Sequence, residues 1–219
     1  MTAYTFDFGS AGAPLDAGTA QTPSGDFNGT SDIAFSLPQF DASSGQTLES
    51  VTATLTATVN GTVVAYNLTQ TPISFQNAYT QVALALEAPG NSSVAFLPEA
   101  TVSGSAEPFL PPAGSCAPSS FPTTASITSN PVAFSNIDAF GAPGGGTVLF
   151  NLLSNGGSVG GPTINNMAFG TNSDITIYGS ITIDYTSVPT AIPETPACAA
   201  ALGAGAVAFT AVRRRRGAS

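Results

Sequence analysis

The chain contains no His, no Lys and no Trp, and its only basic side chains are Arg213, Arg214, Arg215 and Arg216, in one block followed by Gly217, Ala218 and Ser219. Charged residues make up 8% of its 219 positions, against roughly 25% in an average soluble protein, so solubility rests on hydroxyls. Before Arg213 no side chain carries a fixed positive charge, and the formal net charge is -9. This argues against nucleic acid as a partner, because phosphate neutralisation needs Lys or Arg on the binding face. Cysteine is nearly missing too: Cys116 lies in Pro-rich sequence and Cys198 in a terminal apolar segment, so there is no disulfide framework. With no His and one Cys outside that segment, a tetrahedral zinc set cannot be assembled either. We therefore expect no cofactor. Cys116 itself reads as a buried small residue, with a cross-link between two chains as the other option.

What is present is Thr, Ser, Gly, Ala and Pro with many β-branched residues, a composition of strands and turns. VTATLTATV, residues 51–59, alternates apolar residues with Thr, the period-2 signature of a strand with one buried face. Asn60-Gly61 follows, and such a pair favours a type I′ turn, so residues 49–69 are expected to form a hairpin. DITIYGSITIDY, 174–185, alternates likewise, with Gly179 placed for a bulge or a close backbone approach. Further strands are expected at 4–8, 32–37, 71–75, 79–87, 92–97 and 147–153. Residues 98–131 hold seven Pro and little periodicity and read as a loop-like insertion, and 186–196 as an extended tether. The fold class these features predict is all-β, a single antiparallel β-sandwich over 1–188, jelly-roll or Ig-like.

Candidate chemistry in the body is sparse. Gly156-Gly157-Ser158-Val159-Gly160 matches the Gly-x-Ser-x-Gly string of a serine-hydrolase elbow, but that site needs a strand-turn-helix context and a His, whereas this run reads as a Gly-rich loop. Glu87, Glu99 and Glu107 could supply the paired carboxylates of a glycosidase, without a Trp platform to accompany them. Asp7, Asp16, Asp26 and Asp32 crowd a turn-rich stretch in which Ca²⁺ would find oxygen ligands, at a spacing that matches no known calcium loop. Asn28, Asn60, Asn67 and Asn91 head Asn-x-Ser/Thr triplets, which a chain this rich in Ser and Thr generates by composition. These readings favour a non-enzymatic protein without a metal site.

The Arg block has a local cause. Residues 197–212, ACAAALGAGAVAFTAV, are uncharged and as a helix would reach ~24 Å at 1.5 Å per residue, short of the ~30 Å hydrocarbon core. Leu202, Val207, Phe209 and Val212 give at most about -2.4 kcal/mol of insertion preference. This is a weak transmembrane anchor. Arg213 to Arg216 just beyond it satisfy the positive-inside rule and would act as a cytoplasmic stop, with everything before residue 193 translocated.

The order Ile192-Pro193-Glu194-Thr195, then the short Ala/Gly-rich span, then the Arg block, resembles the PEP-CTERM sorting signal of Gram-negative bacterial surface proteins. Pro193 and Glu194 match the first two positions of its Pro-Glu-Pro motif, while Thr195 stands at the third with Pro196 one place late. The resemblance implies export and a membrane protease-transpeptidase, the exosortase, as the partner that recognises Ile192 to Thr195 and removes the tail. Within the body, LPQFDASSGQTLESVTATLTATVNGTV and SNIDAFGAPGGGTVLFNL leading to GSITIDYTSVP resemble the choice-of-anchor E domain, a β-rich surface domain, over most of 31–188. Phe40-Asp41, the strand that follows it, and the segment from Phe140-Gly141 to Gly146-Thr147 are its recognisable points. MTAYTFDFGS has neither a basic nor an apolar region of a signal peptide and reads as a strand from residue 3, so export predicts an in-frame signal upstream of this start. The expected protein is a surface or matrix component: an ectodomain over 1–188, a sorting signal over 189–219, and in a second reading a sandwich module that binds extracellular polysaccharide or another matrix polymer, with Ca²⁺ as an assisting ion. That signal divides into tether and motif (189–196), apolar helix (197–212) and basic tail (213–219).

Overall fold

The computed structural model describes residues 1–16, 32–90, 92–108, 118–171 and 174–190. Met1–Val188 make one compact unit, and among the described residues it holds no α-helix, only a single 3₁₀ turn at Ile137–Phe140. Its strands are β1 (Thr2–Phe8), β2 (Leu15–Asp16), β3 (Asp32–Pro38), β4 (Phe40–Asp41), β5 (Gln46–Asn67), β6 (Ile73–Ala88), β7 (Ser92–Phe96) and β8 (Glu99–Ala106). They continue with β9 (Ser119–Thr128), β10 (Val132–Ala133), β11 (Gly141–Ala142), β12 (Thr147–Gly160), β13 (Met167–Gly170) and β14 (Thr176–Pro189).

Two antiparallel sheets account for all but β4 and β11. In the first, β1 borders β14, β14 borders β5, and β9 and β10 run along the far side of β5. Val64 and Ala65 pair with β9 and β13 at once, so β13 lies on the flank of β5 opposite β9. In the second sheet the order is β3, β12, β6, with β7 and β8 end to end along the outer side of β6. The sheets face each other as a β-sandwich. Val51, Ala53, Leu55, Ala57 and Val59 of β5 pack in one buried cluster with Val82, Leu84 and Leu86 of β6 and Phe150 and Leu152 of β12. Alternation explains this: every second residue of each strand points inward, and those positions are the apolar ones. At one side Phe6 of β1 stacks on Phe35 of β3 at 3.9 Å between ring centres, and Phe35 stacks on Phe150 at 5.3 Å, closing the gap between the sheets.

The expected hairpin over 49–69 does not form. β5 runs straight through Asn60 and Gly61, which pair with Thr124 and Thr123 of β9, and neither residue takes a positive φ. Gly61 serves a different purpose. A Cβ there would stand 2.8 Å from Cγ2 of Thr80 on the opposite sheet, so this inward position admits only hydrogen where the sheets come close. The inward parity of Val51 to Val59 continues unbroken at Val63, Ala65 and Asn67, as a continuous strand requires.

The stretch 98–131 is not a loop-like insertion over its described part: it supplies β8 to the second sheet and β9 to the first. Val102, Ala106 and Phe121 join Val63, Ala65, Phe75 and Ala78 in a smaller buried cluster. Pro122 is tolerated within β9 because β9 is an edge strand paired with β5 alone among the described strands, where a missing N–H can face outward. The two strands expected at 71–75 and 79–87 are one, β6, bulged between Phe75 and Ala78 with Asn77 at φ 59. The run 156–160 lies in strand β12, with Gly156 at φ 98 and a register shift between Ser154 and Gly157, so it is no Gly-rich loop. β14 extends to Pro189, which moves the start of any tether past residue 189. Gly179 meets the expected close approach: a Cβ would lie 2.6 Å from the Cα of Ala57.

Candidate functional site

The outward face of the first sheet is built from hydroxyls, because the polar members of each alternating strand are mostly Thr and Ser. These hydroxyls pair across strands: Thr5 with Thr182 at 3.1 Å, Thr56 with Thr128 at 3.2 Å, Thr58 with Ser126 at 2.8 Å. Where Gly179 of β14 lies close against Thr56 and Ala57 of β5, the face is indented by an open cleft of about 470 Å³. Thr56 and Thr58 of β5 and Ser126 of β9 form one wall, and Asp7 of β1 and its cross-strand partner Ser180 of β14 the other. Tyr178 is the aromatic group in the lining. Gly9, at φ 58, turns the chain after β1 and sits 3.1 Å from the Cβ of Tyr178, measured from where its own Cβ would be. The cleft is shallow and open to solvent, and its described lining holds a single carboxylate and no cation.

A second polar constellation is structural. β4 and β11 pair in parallel, Phe40 with Gly141 and Ala142 with Asp41. Asp41 Oδ1 accepts hydrogen bonds from the Ser43 amide at 2.8 Å, the Ser43 hydroxyl at 2.6 Å and the Gly144 amide at 2.8 Å. Hydrogen bonding by Ser43, first its hydroxyl and then its amide, holds the Asp41 carboxyl below its ordinary pKa. The clasp joins two segments a hundred residues apart in the chain, and Gly144 and Gly145 turn through it at φ 79 and 71.

Of the residues singled out in the sequence, Ile192, Pro193, Glu194, Thr195 and Arg213 to Arg216 lie outside the described residues, as do the 197–212 span, Cys116, Cys198, Asp26, Asn28 and Asn91. Among the described residues no helix is long and apolar enough to cross a membrane. Glu87, Glu99 and Glu107 do not converge. Glu99 is paired with Gln81, which also donates to it at 3.3 Å, and Glu87 lies six residues further along β6, or about 20 Å at strand rise. Glu107 follows Ala106, whose partner is Ile73 at the other end of β6. A glycosidase pair needs carboxylates about 5 to 10 Å apart. Asp16 and Asp32 belong to different sheets, and no group of three or more His, Cys, Asp and Glu gathers among the described residues. Asn60 sits in mid-strand. Asn67 is buried: its Nδ2 donates to the carbonyls of Thr71 and Ala106, and its Oδ1 accepts from the Thr69 amide and hydroxyl.

The cleft combines residues that the sequence marked separately. Asp7 was drawn by its carboxylate, Gly179 by its place in a strand, and Thr56 and Thr58 by alternation, while Tyr178, Ser180 and Ser126 gave no signal without the pairing of strands. The molecule these features define is an all-β, two-sheet protein with a hydroxyl-lined cleft on one outer face. No protein-family model matches the chain, and no curated protein matches it.

Proposed function

We propose that the chain is an exported, non-enzymatic surface or extracellular-matrix protein of a bacterium, delivered by a PEP-CTERM-like signal. The observation that carries this reading is the order of the tail: Ile192 to Thr195, an uncharged span of sixteen residues, then four Arg, behind 212 residues without any Lys, Arg or His. Residues 197–212 hold the chain in the inner membrane, the Arg block stays in the cytoplasm, and an exosortase acts at Ile192 to Thr195, releasing the body to the cell surface or the medium. The body is read as a choice-of-anchor E-like domain. In support, Phe40-Asp41 pairs with Gly141-Ala142, the start of the 140–147 segment, so two of the points that carry that resemblance are neighbours in space. Its finer fold is read as a jelly-roll. With the β4–β11 pair set aside, merging the described strands that lie end to end leaves eight, with one sheet holding the first, eighth, third and sixth and the other the second, seventh, fourth and fifth, the order of two Greek keys wrapped together.

Replacing Arg213 to Arg216 with Ser tests the reading. The expected result is loss of membrane retention and of C-terminal processing, read by fractionation and by mass spectrometry of the mature C-terminus from the native cell. Unchanged retention and processing overturn it. A second reading, favoured by the cleft between Asp7 and Thr58, makes the body a module that binds carbohydrate or a matrix polymer.

A further inference from the structure

We infer that the cleft on the outer face of the first sheet binds a segment of neutral polysaccharide; this rests on the second reading above and commits it to one place and one ligand class. Three observations lead to it. First, the lining offers hydroxyls that both donate and accept, from Thr56, Thr58, Ser126 and Ser180, together with the carboxylate of Asp7. A sugar ring presents the complementary set, hydroxyls that also do both, and a carboxylate accepts from two neighbouring sugar hydroxyls at once.

Second, the cleft is already ordered. Thr58 is bonded to Ser126 at 2.8 Å and Thr56 to Thr128 at 3.2 Å, which fixes their rotamers before any ligand arrives. Each hydroxyl has one donor and two acceptor sites, so a pair keeps capacity for a further bond, and less rotamer entropy is lost on binding. The cleft spans four adjacent strands, β9, β5, β14 and β1, whose pairing fixes the spacing of its walls.

Third, charge selects the class. Among the described residues of the lining the ionisable groups are Asp7 and the phenol of Tyr178, and residues 1–212 contain no Lys, Arg or His. Phosphate, sulfate and uronate polymers would meet a negative carboxylate and no counter-charge, which is a repulsive arrangement. A neutral chain meets none of this. Its ring would rest against Tyr178, whose face is apolar and whose hydroxyl is polar.

The test uses the full chain in detergent micelles and gel retardation by dissolved polymers: dextran, mannan, xylan and galactan as neutral probes, polygalacturonate and dextran sulfate as anionic ones. The expected result is retardation by at least one neutral polymer and by neither anionic one, unchanged by EDTA. Tyr178→Ala and Asp7→Asn should each weaken it about tenfold or more, as truncation of a central contact does. Thr58→Val, which keeps the side-chain shape, should weaken it with no change in melting temperature, and Leu149→Ala on the other sheet should leave it intact. No retardation by any neutral polymer, equal retardation by the anionic ones, loss with EDTA, or cleft variants that bind like the parent would each overturn the inference. Such a failure beside correct tail processing leaves the export reading standing, and the reverse pattern leaves the cleft.

Discussion

Between the sheets the hydroxyls of Thr80 on β6 and Thr123 on β9 meet at 2.7 Å, both side chains fully buried. A hydroxyl stranded in such a place costs about 1–3 kcal/mol, whereas removing both partners can be nearly neutral. Thr80→Val and Thr123→Val are therefore each expected to lower stability by about that much, and the double variant by less than their sum, measured by urea unfolding in a double-mutant cycle. Tyr185 is the opposite case: its hydroxyl is buried without a partner among the described residues, and burial, with a smaller push from Tyr4, raises its pKa from 10 to about 12. A raised acid pKa means that the folded state holds its proton more tightly. The contribution is complete below pH 10 and is lost as pH climbs toward 12, so the parent should lose stability in that window and Tyr185→Phe should lose less. At neutral pH the Phe variant should be at least as stable as the parent, since no hydrogen bond is removed. Residue-level detail of this kind was not legible in the sequence, because Thr80 and Thr123 look like any of the many Thr until strand pairing sets them face to face.

Among the elements, β5 shows how far periodicity carries and where it misleads. Alternation locates the strand and its inward face, yet Asn60-Gly61 carries the local chemistry of a turn, and the cross-sheet neighbour that needs a bare Cα there is not visible in the sequence. Gly61→Ala is expected to cost about 1–3 kcal/mol by overpacking, through contact with Thr80, and a turn-forming Gly61 would give no such dependence on Thr80→Ser as a rescue. β8 and β9 were missed for a related reason: seven Pro between 98 and 131 masked strands whose partners lie on two different sheets. β14 and Gly179 were legible, since the approach to Ala57 is what an isolated Gly in a strand foretells. The β4–β11 clasp adds a pH term of its own. Asp41 titrates below its usual value, so its contribution is present at neutral pH and is lost as pH falls through that lowered pKa. Asp41→Ala should reduce the melting temperature at pH 7 and narrow its difference from the parent near pH 2.

At the scale of the whole molecule the missing cations decide how it answers to salt. With no Lys, Arg or His before residue 213, the body's acidic side chains have no basic side-chain partner there, and screening can only relieve repulsion among like charges. Melting temperature is therefore expected to rise as NaCl increases from low concentration to about 0.15 M, roughly one Debye length of 8 Å, the reverse of a protein held by surface ion pairs. The all-β class and the two-faced strands were legible from composition and alternation, whereas the cleft was not, since it exists only where four strands lie side by side. β14 has one more property. It is flanked on both sides, by β1 and β5, it forms the base of the cleft at Gly179, and it is the last described strand before the tail. A force applied between a captured polymer and the C-terminal end would run along this strand's axis and load its hydrogen bonds in shear, all together, instead of peeling them one by one.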